Sequence, residues 1–187
     1  MRIRLDLLSG LLLLSTTASA APSHHRWRIY RDRSDSNAEV CYPADLLRIR
    51  HDEHEWANTW LMGPDDAEVL VDSRSDKYTT LQKELKNSLD FDTKPASKPA
   101  KIWGDPATPD YTLTVKITKK VVKPDWYLYI GENKTVITYV WRYHVDHAFK
   151  GFRITYPKSH AAAWEGIPER MRACFKSLGP MTDPMLQ

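Results

Sequence analysis

Residues 51–55, with the sequence His-Asp-Glu-His-Glu, form the densest group of potential metal ligands in the chain. On a helix, His51, His54 and Glu55 share one face, and two imidazoles with a carboxylate are ligands that zinc accepts. The spacing is not that of a zinc-protease helix, because no second histidine stands four residues after the first. In an extended loop the same residues do not converge and form a solvated charged segment. A metal-dependent hydrolase that uses these residues is therefore one hypothesis. Elemental analysis of the folded protein distinguishes it from a solvated charged loop.

Two further histidines, His144 and His147, flank Asp146 at the expected tip of a hairpin, where exposed turn histidines are also common. A nucleophilic hydrolase needs an activated serine, a base and an oxyanion hole. The chain contains no Gly-x-Ser-x-Gly turn, and its seven glycines form no phosphate-binding cluster. The sequence therefore favours a protein that is not an enzyme and that has no cofactor.

Three tryptophans, Trp103, Trp141 and Trp164, are the candidates for lining a small-ligand cleft. Aromatic rings bury a large apolar area, so they suit a ligand groove and a hydrophobic core equally well. Alternating aromatic residues in strands are the more common core pattern. Ligand binding by these three residues is therefore the third hypothesis, after protein binding and metal-dependent hydrolysis.

The first twenty residues have the pattern of a signal peptide. Arg2 and Arg4 precede an apolar run over residues 7–14, and residues 18–20 form the small-residue site Ala-Ser-Ala. The alternative, a membrane-spanning helix, needs about 20 apolar residues, and this run is much shorter. We expect cleavage after Ala20, a single domain over residues 21–180, a loose tail over 181–187 and a periplasmic or secreted location without stable membrane insertion.

Export changes the interpretation of Cys41 and Cys174, the two cysteines of the chain. Thiols in an oxidising compartment are normally paired, and only one intramolecular pair is possible here. Two buried free thiols remain the alternative. A catalytic cysteine is disfavoured, because neither cysteine has a histidine pattern nearby.

The balance of charges limits the class of partner. Lys and Arg total 27 and Asp and Glu total 24, which gives a net charge of +3 at pH 7. Charges of both signs are interspersed, so the sequence carries no basic stripe of the kind that binds nucleic acid or an anionic membrane.

The scaffold that positions these residues is an antiparallel sheet with helices on it. Residues 123–157 contain three alternating strand segments, separated by polar breaks at 132–134 and 146–151, which predicts a meander. Residues 26–30 and 39–43 predict an N-terminal hairpin, 56–62 and 68–72 a second strand pair, and 111–118 a further strand.

Two amphipathic segments provide the helices. Residues 78–89 carry Leu81, Leu85 and Leu89 on one stripe, with Ser75 or Asp76 as the expected cap. Residues 160–178 predict a second helix that covers the sheet. Because Pro168 interrupts that segment, a short turn through Trp164 followed by a helix from Pro168 is the alternative. The fold class predicted from this pattern is α+β.

A set of core and turn residues carries a resemblance to known proteins. The set comprises Trp27 and Tyr30, the stretch from Val40 to Leu47, Trp126 with Gly131 and Glu132, the stretch from Phe152 to Pro157, and Cys174 with Phe175. This set resembles a group of uncharacterised exported bacterial proteins and, more distantly, the PsbP-like and DcrB-like domains. The resemblance implies a sheet between helices, an α/β/α sandwich, and a non-enzymatic role in binding other proteins. Together with the absence of a recognisable catalytic set, it makes another protein the expected partner, and an inhibitor or immunity-type role is one form of this hypothesis. A long loop with four prolines over residues 92–109 departs from that pattern.

Overall fold

The structure is a computed structural model that describes residues 24–32, 36–50, 59–77, 79–94 and 114–180. Several sequence predictions lie outside the described residues: the signal peptide over 1–20, the metal ligands His51, His54 and Glu55, the cleft residue Trp103, and the tail over 181–187. They stay predictions.

Ten strands and two α-helices make up the described part of the chain. The strands are β1 (Trp27–Asp32), β2 (Ala38–Pro43), β3 (Arg48–Arg50), β4 (Thr59–Met62), β5 (Glu68–Ser75), β6 (Lys116–Val122), β7 (Trp126–Glu132), β8 (Val136–Val145), β9 (Ala148–Pro157) and β10 (Lys176–Ser177). The helices are α1 (Leu81–Thr93) and α2 (Ile167–Cys174), and 3-10 segments cover Pro64–Asp66 and Lys158–Trp164.

Seven strands form a large antiparallel sheet in the order β3-β4-β5-β9-β8-β7-β6, and a small antiparallel sheet has the order β1-β2-β10. The predicted meander is confirmed as β7, β8 and β9. Its second break is shorter than predicted, because β9 already begins at Ala148. Asp146 and His147 form the turn with φ values of 51° and 57°. Two consecutive left-handed residues match the right-handed twist of a hairpin, so the strands continue on both sides without a longer loop.

The second amphipathic segment, residues 160–178, follows the alternative in which a short turn through Trp164 precedes the helix. A 3-10 segment ends at Trp164, and α2 starts at Ile167 with Pro168 in its first turn. Proline is tolerated there because the first turn has no carbonyl acceptor for its missing N–H group. The first helix differs from its prediction, since α1 runs from Leu81 to Thr93 and is capped by the Thr80 side chain rather than by Ser75 or Asp76.

The two faces of the large sheet are covered differently. On one face, a large apolar cluster joins the sheet to the small sheet and α2, and its members include Val40, Leu61, Tyr139, Trp141, Phe152, Ile154, Trp164, Ile167, Met171 and Phe175. On the other face, α1 lays Leu81 and Leu85 over a smaller cluster that contains Tyr127, Tyr129, Val140 and Phe149. Alternation along the strands separates the two sets. The architecture is mainly antiparallel sheet with a few helices, consistent with the α+β prediction.

The small sheet is fastened to the rest of the fold by a disulfide. Cys41 on β2 and Cys174 at the end of α2 are bonded, with 5.9 Å between their Cα atoms. A buried cation adds a second link, because Lys150 on β9 donates from Nζ to the backbone carbonyls of Asn37 and Gly179 and to Ser177 Oγ. Both ends of the described chain are thus held to the central sheet.

None of the described helices has the length and apolar composition needed to cross a lipid bilayer.

Replacing both Cys41 and Cys174 by serine is expected to lower the free energy of unfolding by about 4 to 5 kcal/mol. The residues are 133 positions apart, and a crosslink that closes so long a loop removes much conformational entropy from the unfolded chain. Urea unfolding monitored by tryptophan fluorescence measures the difference. A reductant should destabilise the wild type and leave the double serine variant unchanged. Equal stability of the two proteins would contradict the expected contribution.

Candidate functional site

A cavity of about 380 Å³ lies between α1 and the face of the large sheet beneath it. Strands β5, β8 and β9 and one side of α1 supply its walls. The lining residues are Glu68, Leu70, Arg74, Asn87, Ser88, Phe91, Asp92, Thr138, Arg142, Arg153 and Thr155. Apolar, hydroxyl, amide and charged groups are therefore present in one concave space, which is the composition of a small-molecule site.

The register of the sheet places the polar side chains of this cavity in rows. Asp72 on β5 pairs with Gly151 on β9, and Gly151 pairs with Arg142 on β8. Gly151 has no side chain, and a Cβ added there would collide with the carbonyl oxygen of Trp141. Because the middle position of the row is empty, Arg142 extends across the glycine to Asp72.

The Asp72–Arg142 ion pair is the most buried of the charged contacts in the described part of the chain. Their side chains are 4% and 3% exposed. Arg142 Nη2 donates to Asp72 Oδ2 at 2.8 Å and lies 2.6 Å from Oδ1, which accepts no well-aligned hydrogen bond. Two other donors, Arg142 Nε and Nη1, have no hydrogen-bond partner among the described residues and are shielded from solvent. A buried donor without a partner costs about 1 to 3 kcal/mol, so Arg142 is an unusual residue to keep in a folded core.

A second arginine, Arg74, extends the ion pair toward the surface. Its Nε lies 3.5 Å from Asp72 Oδ2, and its Nη1 donates to Glu84 Oε1 on α1 at 3.2 Å. Glu84 is buried, whereas about half of Arg74 is exposed. Asp72 is thus shared between two guanidinium groups, and α1 is tied to β5 through Glu84.

The third arginine of the cavity, Arg153, is held from two sides. Its Nη1 donates to Asp92 Oδ1 at 2.5 Å, and its guanidinium carbon lies 5.2 Å from the centre of the Phe91 ring. Asp92 also accepts from Tyr129 Oη at 2.6 Å. Burial is the main reason that the pKa of Tyr129 is far above its ordinary value, so this hydroxyl keeps its proton and acts as a donor.

Glu68 is the one acidic lining residue without an ion pair among the described contacts. It lies on β5 beside Thr155 of β9, with Thr138 of β8 next in the row. Burial raises the pKa of Glu68, and the nearby charge of Asp66 acts in the same direction, while Arg153 opposes it. Burial therefore favours the protonated form of Glu68 in this cavity.

The sequence-predicted site residues are not brought together in this cavity. Trp141 and Trp164 are 8% and 1% exposed and belong to the core on the opposite face of the sheet. Trp141 stacks on Tyr143, and Trp164 stacks on Tyr156. A cleft that includes Trp103 stays a prediction, because that residue is outside the described ranges.

Both turn histidines lie near Asp76 at the end of β5. His144 Nε2 is 2.6 Å from Asp76 Oδ2, and His147 Nδ1 is 3.8 Å from the same oxygen. In the described part of the chain, no three His, Cys, Asp or Glu side chains are placed to hold a metal ion. The metal site at His51, His54 and Glu55 stays a prediction.

The polar positions of the cavity are visible in the sequence, but alternation alone does not identify them as the lining of a cavity. Thr138, Arg142, Arg153 and Thr155 occupy the positions of β8 and β9 that alternate with the aromatic core residues. A period of two assigns such polar positions to the face opposite the core, where solvent is the usual neighbour. Here α1 crosses that face, so the polar residues line an interior space instead.

Replacing Arg142 by leucine is expected to cost about 3 to 5 kcal/mol of unfolding free energy, because the buried Asp72 then loses its closest partner and keeps only the 3.5 Å contact with Arg74. The double variant Asp72→Leu, Arg142→Leu should recover most of the loss, since two apolar side chains replace two buried charges. Urea unfolding of the single and double variants gives the coupling energy. As a matched control, Lys86→Ala breaks an exposed ion pair on α1 and should have little effect. Additive effects of the two leucine substitutions would contradict the assignment.

No model of a protein family matches the chain, and no protein of curated function has a matching sequence. The groups that the cavity under α1 presents are the basis for the function proposed next.

Proposed function

We propose that this protein is an exported binding domain that holds a small organic molecule in the cavity between α1 and the large sheet. The observation that carries the proposal is Arg142, which lines this cavity and keeps two buried donors without partners. Natural structures seldom keep such donors unless water, a ligand or a functional constraint accounts for them.

The size and the lining of the cavity support a small ligand. Sites for small molecules typically measure about 300 to 1,000 Å³ and combine an apolar wall with a few polar groups that fix orientation. Leu70 and Phe91 provide apolar surface, and Thr138, Thr155 and Arg142 provide hydrogen-bonding groups. Four of these five residues lie on strands of the large sheet, and a site built on paired strands has a lower ordering cost on binding than one built on a loop.

The lining supports binding rather than a chemical step. It contains no histidine or cysteine, and its serine, Ser88, is hydrogen-bonded to Tyr127 Oη at 2.9 Å. Asp92 is engaged by Arg153 and Tyr129, so this carboxylate is fixed as an acceptor. These groups orient a ligand, and none of them forms a nucleophile and base pair.

Export to the periplasm or beyond is part of the same proposal. The pattern of residues 1–20 motivates it, and the disulfide between Cys41 and Cys174 supports an oxidising compartment. The resemblance to PsbP-like and DcrB-like domains is compatible with this location. On the basis of the same resemblance, we also propose that the domain is an α/β/α sandwich.

Protein binding is the second candidate function, and the exposed edge of the small sheet favours it. In the order β1-β2-β10, β1 is an outer strand, and its Ile29 is 60% exposed. An outer strand with an apolar side chain suits a partner that adds a strand, as an inhibitor or immunity-type complex would.

The cavity proposal predicts that Leu70→Trp abolishes small-molecule binding, because the larger ring fills the space under α1. Saturation-transfer NMR with a panel of neutral, cationic and anionic single-ring compounds measures binding. The wild type and Val122→Trp, a matched substitution on the exposed side of β6, should bind at least one class. Circular dichroism confirms that both variants are folded. A wild type that binds no compound, or an unchanged Leu70→Trp, would contradict the proposal.

The protein-binding candidate predicts that Ile29→Lys loses a partner that the wild type retains in pull-downs from periplasmic extract, because an added charge opposes burial of that edge. Val122→Lys, on the outer strand of the large sheet, is the control and should behave as the wild type. Recovery of the wild-type protein alone from every extract counts against this function.

A further inference from the structure

We propose that the ligand of the α1 cavity carries an oxyanion group, a carboxylate or a phosphate, attached to an apolar body, and that Arg142 binds the oxyanion. This inference rests on the proposed function and names the chemical class of its ligand. Its starting points are the unpaired donors of Arg142 and the arrangement of charges around them.

Arg142 offers donors and no acceptors, so only an acceptor can complete its hydrogen bonding. Asp72 occupies Nη2 alone, and Nε and Nη1 are left. Nη1 lies on the same side of the guanidinium group as Cδ, so the N–H bonds of Nε and Nη1 diverge and each needs an oxygen acceptor of its own. The oxygens of a carboxylate or a phosphate are the acceptors that make the strongest hydrogen bonds with a guanidinium group. Both atoms are shielded from solvent, so binding requires the Arg142 side chain to turn toward the cavity while Nη2 stays with Asp72.

The neighbouring carboxylates do not accept hydrogen bonds from Nε and Nη1 of Arg142. Asp72 is held by Arg142 and Arg74, Glu84 by Arg74, and Asp92 by Arg153 and Tyr129. Each of these acids already has a donor, so none competes for Nε and Nη1. The described contacts therefore leave two donors of Arg142 without an acceptor, and the oxyanion of a ligand supplies one.

The apolar walls argue for more than an inorganic anion. Phe91 stands at the cavity with 59% of its surface exposed, and Arg153 packs on its ring. Leu70 lies on β5 between Glu68 and Asp72, on the same face of the sheet. A ring or short hydrocarbon chain placed against these residues removes their apolar surface from water, which adds to the affinity of the head group.

Glu68 makes the binding depend on pH. Arg153 from β9, Asp66 from the 3-10 segment and Asp92 from α1 are the charged groups near it, and burial favours its protonated form. An ionised Glu68 repels an oxyanion, and a protonated Glu68 does not. Binding should therefore be strongest below the pKa of Glu68 and should weaken as the pH rises through it.

Calorimetric titration with four ring compounds tests the inference: benzoate, phenyl phosphate, benzamide and benzylamine. Benzamide has the shape of benzoate without the charge, so the pair isolates the contribution of the oxyanion. We expect benzoate or phenyl phosphate to bind about tenfold or more tightly than benzamide, and the better of the two identifies the head group. Benzylamine should bind least.

Two variants locate the head group. Arg142→Lys keeps a positive charge beside Asp72 but removes the donors Nε and Nη1, and it should weaken benzoate binding about tenfold while benzamide changes little. Glu68→Gln should strengthen benzoate binding roughly three- to tenfold at a pH at which Glu68 is ionised, and it should remove the pH dependence over the range in which benzoate itself stays ionised. Because Glu68 is not part of the buried ion pairs, this variant remains informative even if Arg142→Lys fails to fold.

The outcomes separate the two proposals. Equal binding of benzamide and benzoate, both abolished by Leu70→Trp, would leave the cavity as a binding site and overturn the oxyanion assignment. Unchanged benzoate affinity in Glu68→Gln would do the same. Absence of binding by all four compounds would overturn the oxyanion assignment together with the proposed function.

Discussion

The charge of Arg142 beneath α1 is the constraint on which this face of the fold depends. A guanidinium group cannot lose its proton at physiological pH, so the protein must supply a counter-charge in the interior. Asp72 supplies it from two strands away, and the contact exists because Gly151 leaves the middle of the row open. The close approach of the β8 backbone to Gly151 leaves no room for a side chain at that position.

The large sheet uses its two faces for different purposes. One face is aromatic, with Tyr139, Trp141 and Phe152 in contact with α2 and the small sheet. Burial of such rings contributes most of the hydrophobic stabilisation of a domain of this size. The other face combines a small apolar cluster with arginine–carboxylate pairs. The stability provided by the aromatic face allows the second face to retain groups that are costly to bury.

How far the sequence predicted this structure depends on the range of the interactions involved. The meander and the N-terminal hairpin followed from local alternation, and the disulfide followed from there being only two cysteines to pair. The cap of α1 at Thr80 was missed because Ser75, Asp76 and Thr80 are all suitable caps in isolation. The cavity could not be predicted, since Arg142 and Arg153 occupy positions that alternation assigns to solvent. Only the path of α1 over the sheet, a contact between distant parts of the chain, turns these positions inward.

The outer strands of the large sheet affect how the protein behaves at high concentration. On β6, Lys116, Lys119 and Lys120 are exposed and a bulge interrupts the pairing near Thr118, while the opposite outer strand, β3, begins with the exposed Arg48. Two molecules that approach edge to edge therefore bring ammonium and guanidinium groups against each other. Repulsion between like charges, together with the bulge in β6, opposes edge-to-edge aggregation of the sheet and keeps the molecules apart at high concentration.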